Sequence, residues 1–489
     1  MTELELKFSL HGSALASLRA ALTVRGARLV PLRARYFDTA DARLARAGVS
    51  LRLRREGREW RQTLKAGADS RVQRFEHEVP VPPQGRKAHG LDLARHAEGP
   101  AQAVLQAALG GAPPRALVER FTVDVERLRL AVTTEHGSEI EIALDIGHVL
   151  VGKDRTPFAE LELELKAGPP EGLFEFAQSW VAHGGLCLSA LTKSQRGERA
   201  MCAQPALAVQ AHPVALPASP DGSSVWRHVL RSVLDHVLAN AGEVAQGHTD
   251  AELIHQLRVG LRRLRTALRE LAALAPAVDA RWLAAVGETF SRLGDFRDEE
   301  AMAKVVGPLL QAEGAVMPAR VAPSAGDAIE AVRAPAFQAA LVGLLGLAHA
   351  GGGLSSCKPA DATRKHLARR LERLHKRVSC AGRRFDRLPL AQQHRVRKQI
   401  KRLRYLAEFV RSLWPAKAVD RYLSRLEPAQ DALGAHNDIA VAAQRFQCQV
   451  RTDAHAAAAA GVLHAHLATT ARAGRKLLRR VGKAPRFWG

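Results

Sequence analysis

Glu3-Leu4-Glu5-Leu6-Lys7 and, farther on, Glu160-Leu161-Glu162-Leu163-Glu164-Leu165-Lys166 are two copies of one pattern. In an extended chain successive side chains point to opposite faces. Glu3, Glu5 and Lys7 then share one face, and Leu4, Leu6 and Phe8 take the other. A solvated sheet face would carry the same alternation. Parallel carboxylates repel, however, unless something positive lies between them. A hard divalent cation with oxygen ligands answers that need.

Working outward, strand-like runs dominate residues 1–200: Leu32–Thr39, Val49–Arg55, Glu59–Lys65, Gln73–Val81, Phe121–Val132, Glu139–Ile146, His148–Gly152 and Phe158–Lys166. Helical patterns appear at Ser13–Leu22, Gln102–Leu109 and Leu173–His183. This succession suggests an antiparallel sheet or barrel with a few helices. Several strands are charged on one face only. Arg52 and Arg54 oppose Leu51 and Leu53; Arg74, Glu76 and Glu78 oppose Phe75, His77 and Val79; Glu139, Glu141 and Asp145 oppose Ile140, Ile142 and Leu144. An open sheet on helices would fit. The mixture of clustered Glu with clustered Arg and Lys favours a barrel whose charged face is the lumen. There, cations would hold an anionic substrate and carboxylates a bridging metal.

Charge is unevenly spread. Residues 1–204 hold 29 Lys and Arg against 25 Asp and Glu, whereas residues 205–489 hold 43 against 24. The basic back half should attract polyanions: nucleic acid, acidic lipid or polyphosphate. The five cysteines are scattered without a CxxC pair, which argues against a disulfide framework or a zinc site. No apolar run reaches a spanning length and no signal peptide is visible, so the chain is expected in the cytoplasm.

Residues 204–222 are rich in Pro and Ala and read as a linker. Beyond them helical periodicity takes over, and the chain repeats itself. His255-x2-Arg258-x3-Arg262-x2-Arg265 returns as His394-x2-Arg397-x3-Lys401-x2-Arg404 at an offset of 139. Leu293-Gly294-x3-Asp298 returns as Leu433-Gly434-x3-Asp438. Two related helical halves are expected, about 223–350 and 360–489. The spacing of three, four and three puts each basic set on one side of a helix. Like charges so close cost helix stability, which a bound polyanion would offset. Aromatics are few, at 5% of residues, and are not interleaved with the basic stripes, which argues against nucleic acid as the partner.

The N-terminal motifs resemble the CYTH family of triphosphate tunnel metalloenzymes. The matching pieces are Glu3-x-Glu5-x-Lys7, Tyr36-Phe37-Asp38-Thr39, Leu51-Arg52-Leu53-Arg54, Thr63-Leu64-Lys65, Arg74-x-Glu76, Glu141-x3-Asp145, Glu160-x-Glu162-x-Glu164 and Lys193-x2-Arg196-Gly197. The back half resembles the CHAD domain, a helical domain associated with polyphosphate, through His255, His394 and their basic partners. The whole chain looks like two-domain proteins that include inorganic triphosphatases.

The resemblance implies an α+β protein: an eight-stranded antiparallel β-tunnel with flanking helices over 1–203, then over 223–489 an all-α domain of two duplicated four-helix bundles. It implies metal-dependent hydrolysis of inorganic triphosphate to pyrophosphate and phosphate. Another triphosphate, such as thiamine or nucleoside triphosphate, or a mainly polyphosphate-binding role at granules, is the alternative. By position, Glu3, Glu5, Asp145, Glu160, Glu162 and Glu164 would hold Mg2+ or Mn2+. Lys7, Arg52, Arg54, Lys65, Arg74 and Arg127 would grip the triphosphate, with Lys193 and Arg196 near the rim and Arg120 as a substitute for Arg127. Glu76, Glu78 or Glu141 would orient water. Arg35 would either touch phosphate or face outward. His255, Arg258, Arg262, Arg265, His394, Arg397, Lys401 and Arg404 would bind polyphosphate.

Overall fold

The computed structural model describes residues 2–67, 70–82, 90–113, 116–202, 205–294, 296, 302–318, 324–349 and 358–489. The chain forms two compact units. The first comprises residues 1–209, 237–248 and 332–351, and the second 210–236, 249–331 and 352–489.

The first unit is built on β1 (Thr2–Leu10), β2 (Arg28–Thr39), β3 (Val49–Glu56), β4 (Glu59–Gly67), β5 (Gln73–Val81), β6 (Leu117–Thr133), β7 (Glu139–Val151), β8 (Asp154–Ala167) and the short β9 (Leu186–Leu188). They run in the order β5-β4-β3-β2-β6-β7-β8-β1-β9, and β1 also pairs with β5. That last pairing closes β1 to β8 into an eight-stranded antiparallel barrel, with β9 added beside β1. Alternation sorts the faces as expected. Leu6, Phe8, Leu51, Leu53, Leu64, Ile142, Leu161 and Leu163 are buried outside the lumen. Part of that outer layer packs beneath the Gly99–Leu109 helix through Leu105 and Leu109.

The structure differs from the sequence reading in three places. Glu139–Ile146 and His148–Gly152 are one strand, β7, running through Gly147. A Cβ at Gly147 would lie 2.1 Å from the Asp124 carbonyl oxygen, so this glycine permits close approach of β6 rather than breaking a strand. Secondly, the lumen is charged along only part of its length. Leu32, Ala34 and Tyr36 of β2, Phe121, Val123 and Val125 of β6, and Val149 of β7 form one apolar cluster, joined by Phe158, Ala200 and Met201. These strand positions share the inward face with Arg127, Asp145 and Glu160 by the period of two. The Lys193–Cys202 helix therefore plugs one end of the barrel, with Gly197 seated against the Phe121 ring. Thirdly, the first unit takes chain from beyond residue 223. The Pro335–His349 helix is apolar almost all round, which demands cover on several sides. It packs on the Pro170–Val181 helix, with Gly346 against Phe174 and His349 stacked on the same ring.

In the second unit the duplication is visible in the element boundaries. The helices Ala251–Glu270 and Leu390–Phe409 are each 20 residues long and start 139 residues apart. The short turns that follow, Ala272–Leu274 and Arg411–Leu413, keep the same offset. The second copy is a four-helix bundle of Ala360–Gly382, Leu390–Phe409, Ala416–Gln449 and Ala456–Gly482, each packed on its neighbours. The first copy is less regular, since its Pro335–His349 helix belongs to the barrel unit. Among the described residues no single helix is long and apolar enough to cross a membrane.

Candidate active site

The charged part of the lumen is a cavity of about 610 Å3. Glu3, Glu5 and Lys7 of β1 line it, with Arg52 and Arg54 of β3, Lys65 of β4, and Arg74, Glu76 and Glu78 of β5. Arg127 of β6, Glu141 of β7, Glu162 and Glu164 of β8, and Lys193 complete the expected set. Register brings the acids together. Glu5 lies opposite Glu164 between β1 and β8, and Glu164 opposite Glu141 between β8 and β7. Three neighbouring strands thus present carboxylates side by side.

Two sub-sites follow from the ion pairs. In the deeper one, Arg127 grips Asp145 through two hydrogen bonds of 2.7 Å and reaches Glu162 at 2.7 Å. The Lys193 ammonium lies 2.7 Å from Asp145 and 2.9 Å from Glu162, and also bonds Glu160. Arg196 approaches Glu160 at 3.4 Å. Asp145 and Glu160 are wholly buried. Burial alone would favour the neutral forms of Asp145 and Glu162, but the cations win. Glu162 is held well below the usual carboxylate range by Lys193, Lys7 and Arg127, and Asp145 is lowered by Arg127 and Lys193. Lys193 and Arg127 are raised in return, against the cost of burial.

The shallower sub-site is short of positive charge. Glu5 is raised by burial and by Glu162, although Lys7 stands 2.7 Å away. Glu164 is raised to about 7 by burial and by Glu3, despite Lys166 at 2.6 Å. Glu76 is raised by burial and then by Glu3, against Lys65 at 3.3 Å. Glu3 alone goes down, to about 2: against burial stand Lys65 at 2.8 Å, a hydrogen bond with Glu76, and Lys7. Clustered carboxylates whose charge the nearby lysines only partly offset offer oxygen ligands that suit a hard divalent cation. The oxygens of Asp145, Glu160 and Glu162 also lie within 4.8 Å of one another, but they already surround Lys193.

Arg52 and Arg54 have different surroundings. Arg54 lies 3.1 Å from Glu78, which also accepts from Arg61 at 3.1 Å and Thr63 at 3.0 Å. Arg52 contacts the Tyr36 hydroxyl at 3.4 Å, and the Tyr36 ring stacks on Phe121. Arg120, the alternative to Arg127, instead reaches the Ala40 carbonyl and Glu198. Arg35 faces outward and pairs with Glu119. Lys193 is deep rather than at a rim. Arg61 and Arg129, which also line the cavity, were missed. The same count of two that takes in Lys65 leads back to Thr63 and Arg61, and from Arg127 it leads on to Arg129, which pairs with Glu141 at 2.6 Å.

The second unit holds a cavity of about 780 Å3. His255 and Arg262 line it from one repeat and Lys401 and Arg404 from the other, with Gln210–Val214 along another wall. The remaining basic candidates lie elsewhere. Arg258 is buried, with its guanidinium over the Phe290 ring and a 3.2 Å bond to the Phe290 carbonyl. Arg265 sits over the same ring. Arg397 is buried 3.6 Å from Asp438, and His394 bonds Asn437 at 2.5 Å. At about 100° per residue, positions 258 and 265 are turned roughly 60–80° from 255, whereas 262 is turned only about 20°. All four lie within about 80° on one face. Arg262 also approaches the Phe290 ring, at 5.8 Å. His255 and Arg262 form the edge of that face that lines the cavity, while Phe290 covers the edge with Arg258 and Arg265. Asp298 lies outside the described residues, so its match to Asp438 has no structural counterpart.

Comparison with known proteins follows the same division. The CYTH domain model matches residues 1–197, and the CHAD domain model matches residues 228–447. The chain is 28% identical over 202 residues to an inorganic triphosphatase of Haemophilus influenzae, a match covering 40% of this chain and 54% of the relative. It thus spans about half the length of that curated relative. A CHAD domain structure from the plant Ricinus communis is 28% identical, covering 58% of this chain and 99% of its own, with a TM-score of 0.46. A Hippeastrum protein described as an adenylyl cyclase candidate with a dominant triphosphatase activity is 18% identical, covering 40% of this chain and 96% of its own, at a TM-score of 0.30. By the two domain models, the chain carries a CYTH domain over residues 1–197 and a CHAD domain over residues 228–447.

Proposed function

We propose that the barrel hydrolyses inorganic triphosphate to pyrophosphate and phosphate with Mg2+ or Mn2+. The observation that carries this is a cavity walled by facing carboxylates and by arginines and lysines, with Tyr36 as the aromatic residue among its described lining. A nucleobase or thiazole would find little to stack on there, whereas bare phosphates meet a cation on most walls.

In this reading Glu3, Glu5 and Glu164 hold the metal, and Asp145, Glu160 and Glu162 fix Lys193, Arg127 and Lys7. When bound, the metal supplies charge neutralisation and polarises the phosphoryl group. Arg52, Arg54, Arg74, Lys7, Lys65 and Arg127 bind phosphate oxygens, and Arg196 supports the deep end through Glu160. Both Glu78 oxygens already accept from Arg54, Arg61 and Thr63. We therefore assign Glu78 to holding arginines, and the orienting of water to Glu76 or Glu141. With one end plugged, substrate arrives and products leave by a single mouth, so a long polyphosphate would be attacked only at its end.

The helical unit is proposed to bind polyphosphate where basic residues of both repeats meet, at His255, Arg262, Lys401 and Arg404. A chain active in the cytoplasm, localised on polyphosphate granules by this cavity, is the corresponding cellular picture. The test is phosphate release from triphosphate, long-chain polyphosphate, ATP and thiamine triphosphate with each metal. Triphosphate should lead. A protein that turns over ATP or thiamine triphosphate faster has a different substrate, and one inactive on all four while retaining polyphosphate binding is a binding protein.

A further inference from the structure

Three buried polar side chains from segments 237–248 and 332–351 reach elements of the same unit that carry cavity residues. Gln338 is the clearest. It is 1% exposed; its Oε1 accepts from the Leu188 amide at 2.9 Å and its Nε2 donates to the Val332 carbonyl at 2.7 Å. Leu188 belongs to β9, a strand of only three residues and marginal alone. β9 pairs with β1 through Phe8 and Leu188, and the next amide, Ser189, donates to the Lys7 carbonyl at 2.8 Å.

His349 and Glu243 repeat the arrangement at other elements. The His349 Nδ1 lies 2.9 Å from the Leu345 carbonyl, which can only accept, so that nitrogen carries the proton. Its Nε2 then accepts from the Ser70 hydroxyl at 3.0 Å. Two residues on, the Val72 carbonyl accepts from the Glu5 amide. Glu243 accepts from both terminal nitrogens of Arg199, at 2.9 and 2.7 Å. Arg199 lies on the helix that carries Lys193 and Arg196.

We infer that Gln338, His349 and Glu243 are positioning residues for the barrel site. Gln338 and His349 hold β1, and so Glu3, Glu5 and Lys7; Glu243 holds the helix of Lys193 and Arg196. This rests on the metal and phosphate roles proposed above. Hydrogen bonds made directly to metal ligands orient them, and their loss typically costs about 10–100-fold in metal affinity. The bonds here reach β1 and the Lys193 helix one step farther out, so the low end of that range is expected.

The test uses the full chain. Gln338→Leu keeps the volume and removes both bonds. Mn2+ binding, followed by the resonance of the free ion, should weaken roughly tenfold. Amide exchange over residues 2–10 and 186–189 should quicken, while kcat at saturating metal changes little. Gln338→Glu, whose buried carboxyl stays protonated near pH 6 and can make both bonds, should match the wild type at that pH and drift toward the Leu variant as pH rises. A Leu variant with wild-type Mn2+ affinity and wild-type exchange overturns the inference. So does one that merely loses folded fraction with unchanged half-saturation. Should Gln338→Leu not fold, Glu243→Gln carries the test: KM for triphosphate should rise with Mn2+ affinity unchanged, and an unchanged KM overturns the inference. If the wild type binds Mn2+ but releases no phosphate, the proposed activity fails, while the binding and exchange arms still judge the positioning role.

Discussion

Both units carry basic residues in quantity, but they manage them in opposite ways. In the barrel, cations and carboxylates are buried together and interlocked. Lys193 alone touches Asp145, Glu160 and Glu162, and Arg127 shares two of those partners. Buried charge is stable only when paired, so each side chain there is fixed by its neighbours. In the helical unit, Arg262 and Lys401 face an open cavity beside acids such as Glu408 and Glu427. Charges next to water are cheap to keep and easily screened. A preorganised, shielded set suits chemistry on a small anion, and an open set suits loose capture of a long one.

That contrast is most exposed to failure at β1. Replacing Glu3 and Glu5 together by Gln should abolish triphosphate hydrolysis, by roughly 10^3-fold or more, given the several kcal/mol that a metal ion contributes to charge stabilisation. The fold should survive, because burial and Glu162 already strain the Glu5 carboxylate, and Lys65, which loses Glu3, keeps Glu76 at 3.3 Å. Wild-type phosphate release from the double variant would remove the metal from this wall.

Next in size is Arg52. It meets the Tyr36 hydroxyl rather than a carboxylate, so its charge is available to a ligand. Arg52→Ala should cost about 10^2-fold in kcat/KM, on the scale of removing one preorganised donor. Arg61→Ala, which removes one of the donors on Glu78, should cost less. Equal losses would mean that the Glu78 cluster matters to the substrate as much as Arg52 does.

Much of the barrel site was legible because alternation is rigid: once one inward residue of a strand is known, every second residue follows. Glu3, Glu5, Glu162 and Glu164 were found that way, and Arg61 and Arg129 were missed only by stopping the count early. The plugging helix was not legible. Lys193-x2-Arg196-Gly197 carries a recognisable motif, but nothing local says that Gly197 sits on Phe121 within the barrel. Nor could Gly147 be told from a strand end, since its reason is the Asp124 carbonyl on a neighbouring strand. In the helices, spacing shows which side a residue takes. It does not show that an aromatic such as Phe290 will claim Arg258 and Arg265.

The helical cavity gives a smaller effect. Arg262→Ala with Lys401→Ala should weaken polyphosphate binding roughly tenfold, about 1.4 kcal/mol. It should also flatten the salt dependence, since fewer counterions are released. Triphosphate hydrolysis should not change. Arg258→Ala is the sharper control, because its guanidinium lies against Phe290 rather than in the cavity. It should lower stability more than binding. The reverse order would mean that the buried arginines turn outward to meet the polymer.

The smallest effect concerns acid stability of the barrel unit. His96 is fully buried, with its Nδ1 2.7 Å from the Nδ1 of His77. One of these nitrogens must donate and the other accept, so both rings cannot be protonated there. Burial, and then His77, push the His96 pKa down to about 4. A histidine whose folded pKa is depressed leaves stability unchanged above its unfolded value of about 6.5 and withdraws it below. The unfolded chain takes up its proton first, so stability should fall as pH drops from 6.5 toward 4. Melting curves at intervals across that range should show it, at about 2–4 °C per kcal/mol lost for a domain of this size. In His96→Gln the slope should be shallower. Glu164, raised to about 7, works the other way in this window, because there the folded chain takes up the proton first. The His96 contribution is therefore read as the difference in slope between the wild type and His96→Gln. Glu3 and Asp145, both lowered, would add to the acid loss only below the ordinary carboxylate range. A loss between pH 6.5 and 5 that survives the His96 substitution would assign it to another histidine, with His11, also pushed down to about 4 by burial and Arg333, the first to replace.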